Sequence, residues 1–107
     1  MREFVYPARF TRDRKDGGYV VSFRDVPEAI TQADSAARCV EEAAGAIQAA
    51  IEGRIMDGLD VPTASRAKRG ERLVAVPVQT ALKAALYLVM RARGLTHLVE
   101  CGPGKVL

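Results

Sequence analysis

Residues 4–34 read FVYPARFTRDRKDGGYVVSFRDVPEAITQAD, and this stretch decides the fold. Phe4, Tyr6, Ala8 and Phe10 fall on one side of an extended chain, and Val5, Pro7 and Arg9 on the other. That period of two marks a half-buried strand. Pro7 has no N–H to give to a ladder, so the strand is expected to keep one side unpaired near it. Asp13 to Gly18 supply residues that tolerate positive φ and read as a hairpin loop. Tyr19, Val21 and Phe23 then alternate with Val20, Ser22 and Arg24 in a second strand. Asp25-Val26-Pro27-Glu28 is a second turn, and a short third strand follows. The expected strands are 2–11, 18–24 and 28–33.

At Asp34 the period changes from 2 to 3.6. Asp34 or Ser35 is a suitable N-cap, and Ala37, Val40, Ala43, Ala44, Ile47, Ala50, Ile51 and Ile55 recur at helical spacing, predicting a helix over 35–55. Cys39 lies beside that stripe and is expected to be buried or half-buried. Phe4, Tyr6, Phe10, Tyr19, Val21, Phe23, Val40, Ile47 and Ile51 form the expected core. Residues 57–71 read as a polar, solvated connection. A fourth strand is expected over 72–77. Thr80 is then placed to cap a second helix over 80–93, with Leu82, Ala85, Leu86 and Val89 as its stripe and Gly94 at its C-terminus.

The length of 107 residues allows one compact domain. Apolar residues make up 49 %, but 17 of them are Ala, which points to a small core and a need for a partner chain. No apolar run approaches the roughly 20 residues of a membrane span, and the N-terminus has no signal-peptide core, so a cytoplasmic protein with no membrane partner is expected. Residues 1–53 carry 7 Lys/Arg against 9 Asp/Glu, a net −2, and residues 54–107 carry 9 against 4, a net +5. The acidic half suits a basic protein partner and the basic half a polyanion.

Catalytic patterns are sparse. His97 is the sole histidine of the sequence and has no second ligand nearby. Cys39 and Cys101 form no zinc spacing and read as free thiols. Gly102-Pro103-Gly104-Lys105 lacks the four residues that a P-loop needs between its first glycine and Gly-Lys. Asp13, Asp16 and Asp25 are turn formers by residue type. Together they would also offer carboxylates for a Mg²⁺-dependent nuclease, and this alternative stays open from the sequence. No cofactor is expected.

YPARF at 6–10, Asp13, and DGGYVVSFRDVPEAITQAD at 16–34 resemble the N-terminal module of HicB-like antitoxins of type II toxin–antitoxin systems. The likeness continues through EAAGAIQAAIEGRIMDGLDVPTAS at 42–65 and LVAVPVQTALKAALYLVMRARGLT at 73–96. Arg24 stands where the family usually has Pro, and Ala33 where it usually has Gly. After Thr96 a helix-turn-helix is expected in this branch, whereas HLVECGPGKVL is too short to form two helices. The resemblance therefore implies that the usual DNA reader is truncated or replaced.

The resemblance implies an α+β fold, with an antiparallel sheet in βββαβ order, similar to a partial ribonuclease H, plus a C-terminal helix. It implies a βββα module over 1–71, a fourth strand and helix over 72–96, and an irregular tail over 97–107. It further implies a non-enzymatic antitoxin that binds and neutralises a small HicA-type mRNA-cleaving toxin. An orphan assembly module without a toxin is the other alternative beside a ribonuclease H-like nuclease. Candidate toxin-binding residues are Asp13, Asp16, Asp25, Glu28, Glu41 and Glu42. Leu73, Val74, Val76, Leu82, Leu86 and Val89 are the expected interface of a homo-oligomer, a dimer or tetramer. Arg66, Lys68, Arg69, Arg91 and Arg93 are the candidate nucleic-acid contacts. With no reading helix they would hold operator DNA weakly and without sequence discrimination.

Overall fold

The structure, a computed structural model, describes residues 4–15 and 17–94. Asp16, His97, Cys101 and the 97–107 tail lie outside the described residues. Strands β1 (Val5–Arg12), β2 (Tyr19–Phe23) and β3 (Ile30–Ala33) precede helix α1 (Ala36–Met56). Strand β4 (Glu71–Ala75) and helix α2 (Val78–Ala92) follow. The strands form one antiparallel sheet in the order β3-β2-β1-β4, so β1 is central and β4 is an edge. The fold is α+β, as the change of period implies.

Pro7 sits where its missing donor costs least. The β1–β4 ladder covers Val5 to Arg9, whereas the β1–β2 ladder begins only at Ala8. The β2 side of Pro7 is therefore free of pairing. At the other end of β1, Gly17 takes φ +76. Its neighbour Gly18 meets the backbone of β3, where an added Cβ would lie 2.7 Å from the Ala33 carbonyl oxygen. The Gly-Gly pair thus satisfies both the turn and the approach of a third strand.

One face of the sheet carries Phe4, Tyr6, Ala8, Val21, Phe23, Ala33 and Val74, all buried. Against it α1 lays Cys39, Ala43, Ile47, Ile51 and Ile55. These follow the i+4 row, which slants across a helix and tracks the twist of the sheet beneath it. Val40 lies off that row and is 50 % exposed, which corrects its place in the expected core. Phe10 and Tyr19 are only partly buried at the margin of the cluster. Ser35 caps α1, its hydroxyl accepting the Arg38 N–H at 3.4 Å.

Helix α2 departs from its expected orientation. It begins at Val78 with Pro77 as N-cap, and Thr80 is no cap but a buried side chain, donating to Glu52 Oε2 of α1 at 2.5 Å. The buried face is Thr80, Ala81, Ala84 and Tyr87, whose small residues let α2 approach α1 closely. The larger apolar residues Leu82, Leu86 and Val89 point outward. Replacing Ile47, which has no exposed surface, by Ala is expected to lower stability by about 2–5 kcal/mol in urea unfolding, as for other closed core sites.

Candidate functional site

The connection between α1 and β4 is not the solvated loop that its composition suggests. Side chains from three elements and the β2–β3 turn hold its backbone. The Tyr6 hydroxyl donates to the Pro62 carbonyl at 2.6 Å, and Tyr87 donates to the Leu59 carbonyl at 2.8 Å. Arg91 reaches the Gly58 carbonyl at 2.6 Å and the Tyr87 oxygen at 3.0 Å. Arg54 donates to the Asp60 carbonyl at 3.0 Å, and Arg24 to the Arg66 carbonyl at 2.6 Å. Asp25 accepts both the Ser65 N–H at 2.7 Å and its hydroxyl at 2.8 Å. Burial, with Asp25 nearby, pushes the Tyr6 phenol up to about 12, so it stays a neutral donor. Sequence reasoning missed these fasteners because most of their partners are backbone carbonyls, which carry no residue-type signal.

This network changes what the acidic candidates are free to do. Asp25 is engaged by Ser65, with the Arg24 guanidinium 3.6 Å away. Glu28 holds Arg54 through both carboxylate oxygens, and that hydrogen bonding keeps its carboxyl below the usual range. Asp13 closes the hairpin: its carboxylate accepts the Lys15 N–H at 2.9 Å, and its backbone exchanges bonds with Gly17 and Gly18. Glu41 is exposed and Glu42 half-buried, both in the first turns of α1. Besides Glu41 and Glu42 on α1, the described acidic candidates lie at the two ends of β2. Asp13 lies at the hairpin end of β2, whereas Asp25 and Glu28 lie at the opposite end.

That separation bears on the nuclease alternative. The five residues of β2 span roughly 16 Å, while Mg²⁺ binds oxygen at about 2.1 Å, so Asp13 and Asp25 cannot share an ion. Among the described residues no group of three or more His, Cys, Asp and Glu is arranged to hold a metal. Cys39 is buried in the core, and burial pushes its thiol up. No described helix is long and apolar enough to cross a membrane.

The expected oligomer residues divide in the same way. Val74 and Val76 are 4 % and 5 % exposed, because they point into the core of their own chain. They are corrected to core residues. Leu73, Leu82, Leu86 and Val89 are about half exposed, and Val78 joins them at 71 %. Of the basic candidates, Arg66, Lys68 and Arg69 are exposed beside the start of β4, and Arg93 is exposed at the end of α2. Arg91 is committed to Gly58 and Tyr87, so it is a fastener of the fold.

A four-stranded antiparallel sheet with its helix layer on one face defines an α+β module. Residues 5–85 match the model of the HicB-like antitoxin of bacterial toxin–antitoxin systems, and the chain belongs to that family. It is 35 % identical over 81 residues to Antitoxin HicB of Escherichia coli K12, covering 76 % of this chain and 58 % of that protein. It is 34 % identical over 85 residues to Antitoxin HicB 2 of Photorhabdus laumondii, covering 79 % and 58 %. The chain thus spans a little over half the length of these relatives.

The carboxylates give the fold a pH dependence of known sign. Glu28 is held below the ordinary value of 4.5 by Arg54, and Glu52 by the Thr80 hydroxyl and then Lys83. A depressed folded-state pKa contributes stability above 4.5 that is lost as pH falls through the folded value. The thermal midpoint is expected to fall below about pH 4.5, and Glu28→Gln should lower the neutral-pH midpoint and flatten the decline. Thermal unfolding followed by circular dichroism between pH 3 and 7 measures both.

Proposed function

We propose that this protein is an antitoxin that binds and neutralises a small HicA-type mRNA-cleaving toxin in the cytoplasm. The observation that carries the reading is the continuous family match over residues 5–85, which takes in all four strands and both helices as far as Ala85. Neutralising by cover needs a complementary surface and no chemistry of its own. A ribonuclease that grips RNA presents basic groups, and the N-terminal half of this chain is net acidic.

Within that reading the carboxylates differ in what they can give. Asp25 and Glu28 serve the loops of their own chain, so changing them perturbs the fold along with any contact. Glu41 and Glu42, on the outer turns of α1, are the acidic residues to test first. Co-expression with the toxin-like reading frame beside this gene is expected to relieve its growth arrest. Glu41→Lys with Glu42→Lys is expected to weaken the complex at least about tenfold, since like charges across an interface are costly. Unchanged affinity would move the interface off this end of α1. Failure of the unaltered protein to relieve the arrest would reject the antitoxin reading.

The outward face of α2 supports a second element of the proposal, a homo-oligomer. Val78, Leu82, Leu86 and Val89, spaced four, four and three residues apart along one side of α2, are each about half exposed or more, an apolar stripe rather than an isolated leucine. Sedimentation at micromolar concentration is expected to show a dimer or larger species, and Leu82→Glu with Leu86→Glu to return it to monomer. A monomer from the unaltered chain would remove this element without touching toxin binding.

A further inference from the structure

The sheet has two edges, β3 and β4, and the phase of its ladders fixes which backbone groups each edge turns outward. Successive residues of a strand present their N–H and C=O to opposite neighbours. The Val76 N–H donates to the Phe4 carbonyl at 2.9 Å, and the Asp13 N–H to the Gly18 carbonyl at 2.7 Å. Even-numbered residues of β1 and β4 therefore bond each other, and odd-numbered residues of β1 bond β2. Pro7, which has no N–H and lies outside the β2 ladder, fits that phase. Glu71, Leu73 and Ala75 accordingly turn their N–H and C=O groups away from β1. The Glu71 N–H is taken by the Lys68 carbonyl at 3.0 Å. The outward groups of Leu73 and Ala75 meet no hydrogen-bond partner among the described residues, and both residues are exposed.

Edge strands are commonly guarded by charged side chains. On β4 those charges are folded back onto their own chain. Glu71 accepts Arg24 at 2.8 Å and the Lys68 N–H at 2.7 Å, and the Arg72 guanidinium sits 5.6 Å from the centroid of the Phe10 ring. The β3 edge is better closed. By the same phase Ile30 and Gln32 face outward there, but the Ile30 N–H already donates to the Glu28 carbonyl at 3.0 Å, and exposed Glu28 and Asp34 flank the strand.

A second copy of the chain matches the bare edge group for group. Antiparallel pairing of β4 with β4, with the two-fold axis at Val74, sets Leu73 opposite Ala75 of the partner subunit. Each residue of such a pair gives its N–H to the other's C=O, so the outward groups of both residues are satisfied. The large Leu73 side chain packs beside a small alanine on the face opposite α1, and Arg72 stands opposite Val76 of the partner subunit, so no like charges oppose each other. An axis at Leu73 would instead bring the two Arg72 side chains to diagonal positions and leave the Ala75 carbonyl facing a Glu71 N–H that is already taken. We propose that the β4 edge is a contact between two copies of this chain, joining their sheets into one through the backbones of Leu73 and Ala75. This specifies one contact of the homo-oligomer proposed above and rests on that reading.

The test combines sedimentation of the full chain with amide hydrogen exchange by NMR. In the dimer the Leu73 and Ala75 amides are expected to be protected at least about tenfold more than the Gln32 amide, which faces outward at the other edge. Ala75→Pro removes an outward donor and fills the edge while sparing the ladder to β1. It is expected to raise the dimer dissociation constant at least about tenfold, from the hydrogen bonds lost, and Gln32→Pro, the same change on β3, to leave it unchanged. Circular dichroism verifies folding, and Ala75→Lys, which keeps the backbone donor and sets a charge against Leu73 of the partner subunit, serves if Ala75→Pro does not fold. A dimer whose Leu73 and Ala75 amides exchange as fast as that of Gln32 would overturn the proposal and leave the α2 stripe as the contact. So would a folded Ala75→Pro that dimerises like the unaltered chain. If that variant kept the dimer but lost the toxin, the edge would belong to the toxin and not to a second copy. A monomer from the unaltered chain would remove the homo-oligomer itself, and this edge contact with it.

Discussion

The hydroxyl of Tyr6 is the constraint on which the arrangement turns. Tyr6 lies on the buried face of the central strand, has no exposed surface, and carries a phenolic O–H that must find an acceptor inside the protein. It finds the Pro62 carbonyl, 56 residues away in sequence. Val61, beside that carbonyl, is itself buried. The long connection is thereby drawn over the core rather than left in solvent. Its path delivers β4 to the free edge of β1, and Tyr87 repeats the device at Leu59, seating α2 against the same segment. An unpaired buried phenol would cost on the order of 1–3 kcal/mol, so hydrogen-bond satisfaction alone favours this path.

The same economy divides the charged side chains into two kinds. Arg24, Arg54 and Arg91 hold carbonyls of the connection, and Asp25, Glu28 and Glu71 hold the segments around it. These are structural charges. Glu41, Arg9, Arg12, Arg66, Lys68 and Arg69 are exposed at the surface and make up the second kind. Residue type does not separate the two groups. Asp13 and Asp25 are both turn aspartates, yet one ties a hairpin at one end of the sheet and the other ties Ser65 at the far end.

Antitoxin function asks for surface rather than for an active site, and the fold leaves several surfaces open. The sheet has a helix layer on one face, and the other bears Arg9, Ser22 and Ile30 at a cleft. Helix α2 turns its small residues inward and its leucines outward. In a chain so rich in alanine the close approach of α1 and α2 is cheap in side-chain entropy, and the larger apolar groups of α2 are left at the surface.

Local pattern settled much of this protein in advance. The alternation of Phe4, Tyr6, Ala8 and Phe10, the Gly-Gly turn, the change of period at Asp34 and the glycines at helix ends each depend on a few neighbouring residues, and β1 to β4 and both helices are legible from them to within two or three positions. Family membership was legible for the same reason, since its motif is this run of local signals. Three things were decided only in three dimensions. The twist of the sheet chose Cys39 over Val40 for the core. Close helix packing chose Ala81 and Ala84 over Leu82 and Leu86. Pairing of β1 with β4 brought Arg9 to Lys68 and Glu71. Each depends on which backbone lies opposite, and hydrophobic periodicity, which reports that a face is apolar, carries no record of its partner.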